Sequence, residues 1–143
     1  MPEKSLVFDT GAVTYHIGNA IDISFNPTDS FFVERLFVNF DELGKKQEAY
    51  EKAVEKMADR RKIFDFMRER DAEMRKIIDE TLGAPVCDAV FGRMNVYALA
   101  SGLPVWANLI LAIIEEVDTA FAREQKVTNP RLQKYLTKYR KKK

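Results

Sequence analysis

A stretch of 38 residues, from position 45 to position 82, contains neither proline nor glycine and is dense in good helix formers. Apolar residues recur along it at alternating steps of three and four, the spacing of an imperfect coiled-coil seam. One helix of this length extends roughly 57 Å, whereas a compact domain of this size has a radius of gyration of only ~15 Å. Such a helix must project from the domain, fold back on a second long helix or pack against another chain. Because residues 104–126 offer the only comparable partner helix, we expect self-association.

The residues before this stretch predict a small sheet and a helix that covers it. Strand-like segments at residues 6–8, 13–17 and 21–25 predict an antiparallel β-meander. Asn26-Pro27-Thr28-Asp29 is typical of a helix start, and a very apolar segment follows. Gly44 either breaks this segment into two helices or lies inside one long helix. A meander this small needs a helix against its apolar face.

The second half of the chain predicts further helices. Gly83 and Pro85 end the long stretch, and residues 85–91 resemble a short helix that Gly92 ends. A helix from Pro104 carries a broad apolar face that includes Trp106, so we expect it to be the most buried element. The predicted fold class is α+β, mainly α, in a single domain over residues 1–143. Its parts are the meander (1–25), the long helical segment (26–82), a helical core (85–128) and a basic tail (129–143).

The composition and the absence of known motifs argue against an enzymatic or metal-binding function. The chain has one cysteine and one histidine, Cys87 and His16, which excludes a disulfide framework and most zinc sites. It carries no recognisable catalytic or phosphate-binding motif. The acidic residues within 65–73 lie among arginines, so we interpret them as a salt-bridged helix face. We expect no enzymatic activity, no cofactor, no bound metal, no membrane span and no targeting segment, and hence a cytoplasmic protein.

The charge of the chain is uneven. Residues 125–143 hold eight of the 23 basic residues and none of the 22 acidic ones, so the other 124 residues carry 15 basic and 22 acidic residues. An acidic body with a basic tail can bind nucleic acid, or an acidic face of another copy. The basic-tail candidates are Lys134, Lys138, Arg140, Lys141, Lys142 and Lys143, interleaved with Tyr135 and Tyr139. We favour a tail that docks on protein over one that binds nucleic acid.

The second group of candidates lies on the long stretch. Flexible methionines suit a surface that accepts varied apolar partners, although such residues also fill cores. The candidate partner-binding residues are Met57, Phe64, Met67, Met74 and Ile77.

The order of segments resembles a family of small prophage proteins, over nearly the whole chain. The likeness is carried by Asn26-Pro27-Thr28-Asp29, Phe32-Val33-Glu34-Arg35-Leu36, Pro85-Val86-Cys87-Asp88-Ala89-Val90-Phe91-Gly92, Met94-Asn95-Val96-Tyr97, Gly102-Leu103-Pro104-Val105-Trp106 and Asn129-Pro130-Arg131. These proteins are similar to the tail assembly chaperones of long-tailed, siphovirus-type phages of Clostridia-like bacteria.

The resemblance implies a non-enzymatic helper in the host cytoplasm. Such a chaperone self-associates, coats the helical tape measure protein to keep it soluble, and recruits tail tube subunits. Many members gain an alternative ending by ribosomal frameshifting. Two other functions remain open from the sequence: a nucleic-acid-binding regulator that uses the basic tail, and a structural tail protein.

Overall fold

The computed structural model describes residues 1–140, without the side chains of Thr137, Tyr139 and Arg140. The elements in chain order are β1 (Val13–Ile17), β2 (Ile21–Phe25), α1 (Ser30–Glu55), α2 (Arg60–Leu82), α3 (Val86–Phe91), β3 (Leu99–Ala100), β4 (Leu103–Pro104), α4 (Val105–Lys126) and α5 (Arg131–Arg140). β1 pairs with β2 and β3 pairs with β4, both antiparallel. The predicted fold class, α+β and mainly helical, is confirmed.

The N-terminal sheet is a hairpin rather than the predicted meander. β1 and β2 meet at a tight turn in which Gly18 and Asn19 have φ values of 56° and 58°, a conformation that favours these residue types. The prediction of a strand at residues 6–8 is wrong: these residues form none, and their side chains are 77–97% exposed. A turn separates them from β1, held by hydrogen bonds from Gly11 N to Asp9 Oδ1 (2.8 Å) and from Asn26 Nδ2 to the Thr10 carbonyl (2.8 Å).

The stretch over residues 45–82 is not one helix. α1 runs through Gly44 without a break and ends at Glu55, the chain turns over residues 56–59, and α2 returns. Asp59 begins α2 as its N-cap, with its Oδ1 accepting hydrogen bonds from the Arg61 and Lys62 amides (2.9 and 3.5 Å). The rod of roughly 57 Å therefore does not exist, and neither does a break at Gly44. Since the two helices pair within the chain, their length does not require self-association.

The fold-back lets the two helices cover each other's apolar faces. Tyr50 of α1 stacks on Phe66 of α2, with ring centroids 5.9 Å apart. It also stacks at 3.8 Å on Tyr97 of the connector, the segment of residues 92–98 between α3 and β3. Lys46 and Glu73 form an ion pair across the same interface. Coiled-coil-like spacing fits this intrachain hairpin as well as it fits an intermolecular seam, because both bury a narrow apolar stripe.

α4 lies at the centre of the core, as predicted. Trp106 is 3% exposed, and its indole N–H donates to Gln47 Oε1 at 2.8 Å. Gln47 interrupts the apolar spacing of the sequence because it serves this buried donor. Other core side chains come from α1, α2, α3, the connector and α4, among them Leu36, Leu43, Met74, Ile78, Val86, Val96, Ile110 and Val117.

An ionic network fastens α2 to α3 and to the connector. The Arg75 guanidinium donates to Asp71 Oδ2 (3.0 Å), to Asp88 Oδ1 (2.8 Å) and to the Met94 carbonyl (2.6 Å). Asp71 also accepts a hydrogen bond from the Val96 amide at 2.8 Å. Among the described residues, none of the helices is both long and apolar enough to span a membrane.

Candidate partner-binding surfaces

An open groove lies between the β1–β2 hairpin, the end of α3 and the first half of α4. Its volume is about 540 Å³, and apolar side chains dominate its lining. We name it the apolar groove. Its lining residues are Tyr15, His16, Ile17, Gly18, Phe25, Val90, Phe91, Val105, Asn108, Leu109, Ala112, Ile113 and Glu116. Its size lies within the range of natural ligand and side-chain pockets.

Contacts to α1 and to α4 hold the hairpin beside the groove. Tyr15 and Phe25 stack with ring centroids 4.7 Å apart, and Phe25 stacks on the buried Phe32 at 4.1 Å, which anchors the hairpin on α1. At one end the Tyr15 hydroxyl donates to Glu116 Oε1 of α4 at 3.1 Å. Between these contacts the facing apolar side chains of hairpin and helix remain apart, so both walls are accessible to a third apolar element.

Polar groups mark the rim of the groove. Burial, the hydrogen bond to Glu116 and the charge of that carboxylate all raise the pKa of Tyr15. The phenol is therefore neutral at physiological pH and can donate to the carboxylate. The exposed His16, which also lines the groove, forms a hydrogen bond between its Nδ1 and Asp22 Oδ1. Apolar walls with a few polar groups at the rim are typical of a surface that can accommodate an apolar side chain.

The five residues predicted to bind a partner do not form one surface. Met74 is fully buried in the core, so its assignment to a partner surface is wrong. Ile77 is partly buried and packs against the same core, and Met67 is partly buried on α2. Met57 lies in the turn between α1 and α2, whereas Phe64 is 58% exposed. Of this set, only Phe64 presents a large apolar surface to solvent.

The basic tail is helical over α5 (Arg131–Arg140). In α5, Leu132, Tyr135 and Leu136 are exposed, and so are Lys134 and Lys138. The Lys134 ammonium lies 5.7 Å from the centroid of the Tyr135 ring. The remaining candidates fall outside the described side chains: Arg140, Lys141, Lys142 and Lys143. The structure thus provides an amphipathic basic helix that projects its apolar side into solvent.

The reactive side-chain types lie in structural positions. Cys87 is buried, and burial together with the nearby Asp79 carboxylate raises the pKa of its thiol, so the group stays protonated. Among the described residues, no cluster of three or more His, Cys, Asp or Glu side chains could hold a metal ion.

Sequence reasoning missed the apolar groove. Tyr15 and Ile17 alternate with the exposed His16, and α4 carries Leu109 and Ala112 beside the strip that its core contacts use. The apolar face of α4 is wider than a single packing partner requires, and this width could have indicated a second contact surface.

The class that fold and surfaces define is a mainly helical α+β protein with an open apolar groove and a projecting basic helix. Comparison of the chain with protein-family models, with curated proteins and with solved structures gives no match.

Proposed function

We propose that this protein is a phage tail assembly chaperone that binds the tape measure protein and keeps it soluble in the host cytoplasm during tail assembly. The proposal is supported by the resemblance of segment order along the chain and by surfaces that suit binding rather than catalysis. It assigns the protein no enzymatic step and no cofactor. Recruitment of tail tube subunits and self-association belong to the same proposal.

The apolar groove is the observation that carries the proposal. A long helix from a client presents apolar side chains every three or four residues, and a groove between a hairpin and a helix can accept one or two of them. The groove walls are pre-formed, so little ordering entropy is lost on binding. We assign the groove to the apolar stripe of a tape measure helix.

Coexpression with the tape measure protein tests the assignment. Ala112 lines the groove and is exposed, so Ala112→Glu places a charge there without disturbing the core. Ala72→Glu makes the same change at an exposed position on α2 and serves as the control. We expect the wild type and Ala72→Glu to copurify with soluble tape measure protein, and Ala112→Glu to lose most of it. Absence of any gain in client solubility with the wild type contradicts the function. Equal performance of the two variants contradicts the groove as its site.

A nucleic-acid-binding regulator is the second candidate, on the observation that Lys134 and Lys138 are exposed beside an exposed tyrosine. Its test is fluorescence anisotropy with a labelled duplex. Binding that falls steeply with salt and vanishes on deletion of the residues after Asn129 supports it. A structural tail protein instead would be found in purified particles.

A further inference from the structure

α5 and the exposed side of α1 have complementary character. Around α5, the apolar residues Leu132, Tyr135 and Leu136 share one side, Lys138 follows one turn after Tyr135, and the Lys134 ammonium lies 5.7 Å from the centroid of the Tyr135 ring. We name this set the tail stripe. Leu132 is 67% exposed, and all five side chains are exposed to solvent within the described chain. An isolated ten-residue helix is marginal in water, so a helix of this kind gains stability from a docking surface.

The outer face of α1 offers the opposite charge. We define it by Phe31, Glu34, Val38, Asp41 and Glu42, which recur at steps of three or four and lie on one side of the helix. Phe31 and Val38 are 77% and 57% exposed, large values for apolar residues on a helix. The three carboxylates lie on the same side of α1 as these apolar residues, and Lys45 borders the face at its far end.

We propose that the tail stripe of one copy packs on the outer face of α1 of a second copy. The apolar residues of the two surfaces then cover each other, and the lysines lie beside the carboxylates. Charge complementarity selects this occupant, because residues 125–143 carry eight basic residues and no acidic one while the α1 outer face carries three acidic residues. The same acidity repels a nucleic acid or another acidic partner from α1.

Two copies can each place their tail stripe on the α1 outer face of the other, and the doubled contact then makes the interface large enough for a dimer. A ten-residue helix is only about 15 Å long, and one such contact is smaller than a standard interface. Each copy carries both surfaces, so two copies related by a twofold axis form the contact twice and close the assembly. This inference gives the self-association in the proposed function a defined surface. It is tested on the protein alone, so its failure is distinct from failure of client binding.

Charge reversal on each surface provides the test. The tail variant combines Lys134→Glu with Lys138→Glu, and the face variant combines Glu34→Lys with Asp41→Lys. Each variant alone opposes like charges in both contacts of a dimer, so we expect its dissociation constant to rise by at least about tenfold. In an equimolar mixture both contacts pair opposite charges again, so the two variants are expected to form a heterodimer. All four positions are exposed, and circular dichroism verifies that each variant is folded.

A matched control separates the contact from the effect of net charge. Glu115→Lys combined with Asp118→Lys makes the same charge change at exposed positions of α4, and we expect it to associate like the wild type. Sedimentation velocity from about 1 to about 200 µM, with nuclease-treated protein, measures all samples. A wild type that stays monomeric throughout, as it would if the tail docked on its own chain, overturns the proposal. So does association of either single-surface variant at wild-type strength, or a mixture without heterodimer.

Discussion

Replacing Trp106 with alanine is expected to lower the free energy of unfolding by about 3–5 kcal/mol. The side chain is 3% exposed, and an aromatic residue of this kind buries roughly 150–250 Å², which is worth about 4–6 kcal/mol at ~25 cal/mol per Å². Partial collapse of the cavity reduces the cost. Loss of the indole N–H to Gln47 Oε1 bond adds about 1 kcal/mol, since the amide oxygen can be rehydrated only if the site opens. These two contributions add to about 5–7 kcal/mol, which is an upper limit because the unfolded chain already buries part of this area and the cavity partly collapses, so about 3–5 kcal/mol is expected.

Urea unfolding followed by far-ultraviolet circular dichroism measures this change. Trp106 is the only tryptophan, so its fluorescence cannot report on the variant itself. A loss of ~4 kcal/mol corresponds to a fall in Tm of roughly 10–15 °C in a chain of this length. Phe31→Ala on α1 is the control, because Phe31 is 77% exposed and its removal is expected to cost under ~1 kcal/mol. A cost below ~1 kcal/mol for Trp106→Ala as well would refute the placement of α4 at the centre of the core.

Two further predictions concern the α1–α2 hairpin. Asp59→Ala removes the N-cap of α2 and is expected to cost about 1 kcal/mol in urea unfolding, whereas Asp59→Asn keeps a capping oxygen and changes little; equal losses would argue against the cap. The hydrogen bond from Lys46 holds the pKa of Glu73 below its usual value, so the folded state binds protons less readily than the unfolded state. The resulting stabilisation is full above the unfolded pKa of a glutamate, about 4.3, and is lost as the pH falls through the lowered folded pKa. Glu73→Gln should therefore reduce the fall in the free energy of unfolding that occurs as the pH is lowered. Glu48→Gln, at an exposed position, should retain more of this fall. Identical pH profiles for the two variants would contradict the role of the ion pair.

Local chemistry explains the elements that the sequence predicted well. Gly18 and Asn19 adopt the positive φ values that their turn requires, and Gly83 ends α2 at a φ of 72°. The apolar periodicity around Trp106 places α4 in the core, because residues three and four apart share one side of any helix. Each of these features depends on interactions within a few residues.

The wrong predictions concern features that depend on contacts between residues far apart in the sequence. Periodic spacing over residues 45–82 does not determine whether the apolar stripe packs against another chain or against the preceding helix. Asp59 lies among many other charged residues, so the sequence does not mark it as the residue that caps α2. The same spacing cannot distinguish the buried Met74 from the exposed Phe64, because both fit an apolar stripe.

The amino-acid order alone determined a mainly helical α+β chain with a basic tail, since residue pattern and charge act locally and survive any arrangement of the helices. Only tertiary packing decided that α1 and α2 fold back on each other and that an apolar groove stays open between hairpin and α4. The physical reason is that burial is a competition among all surfaces of the chain, and its outcome depends on which faces meet in three dimensions.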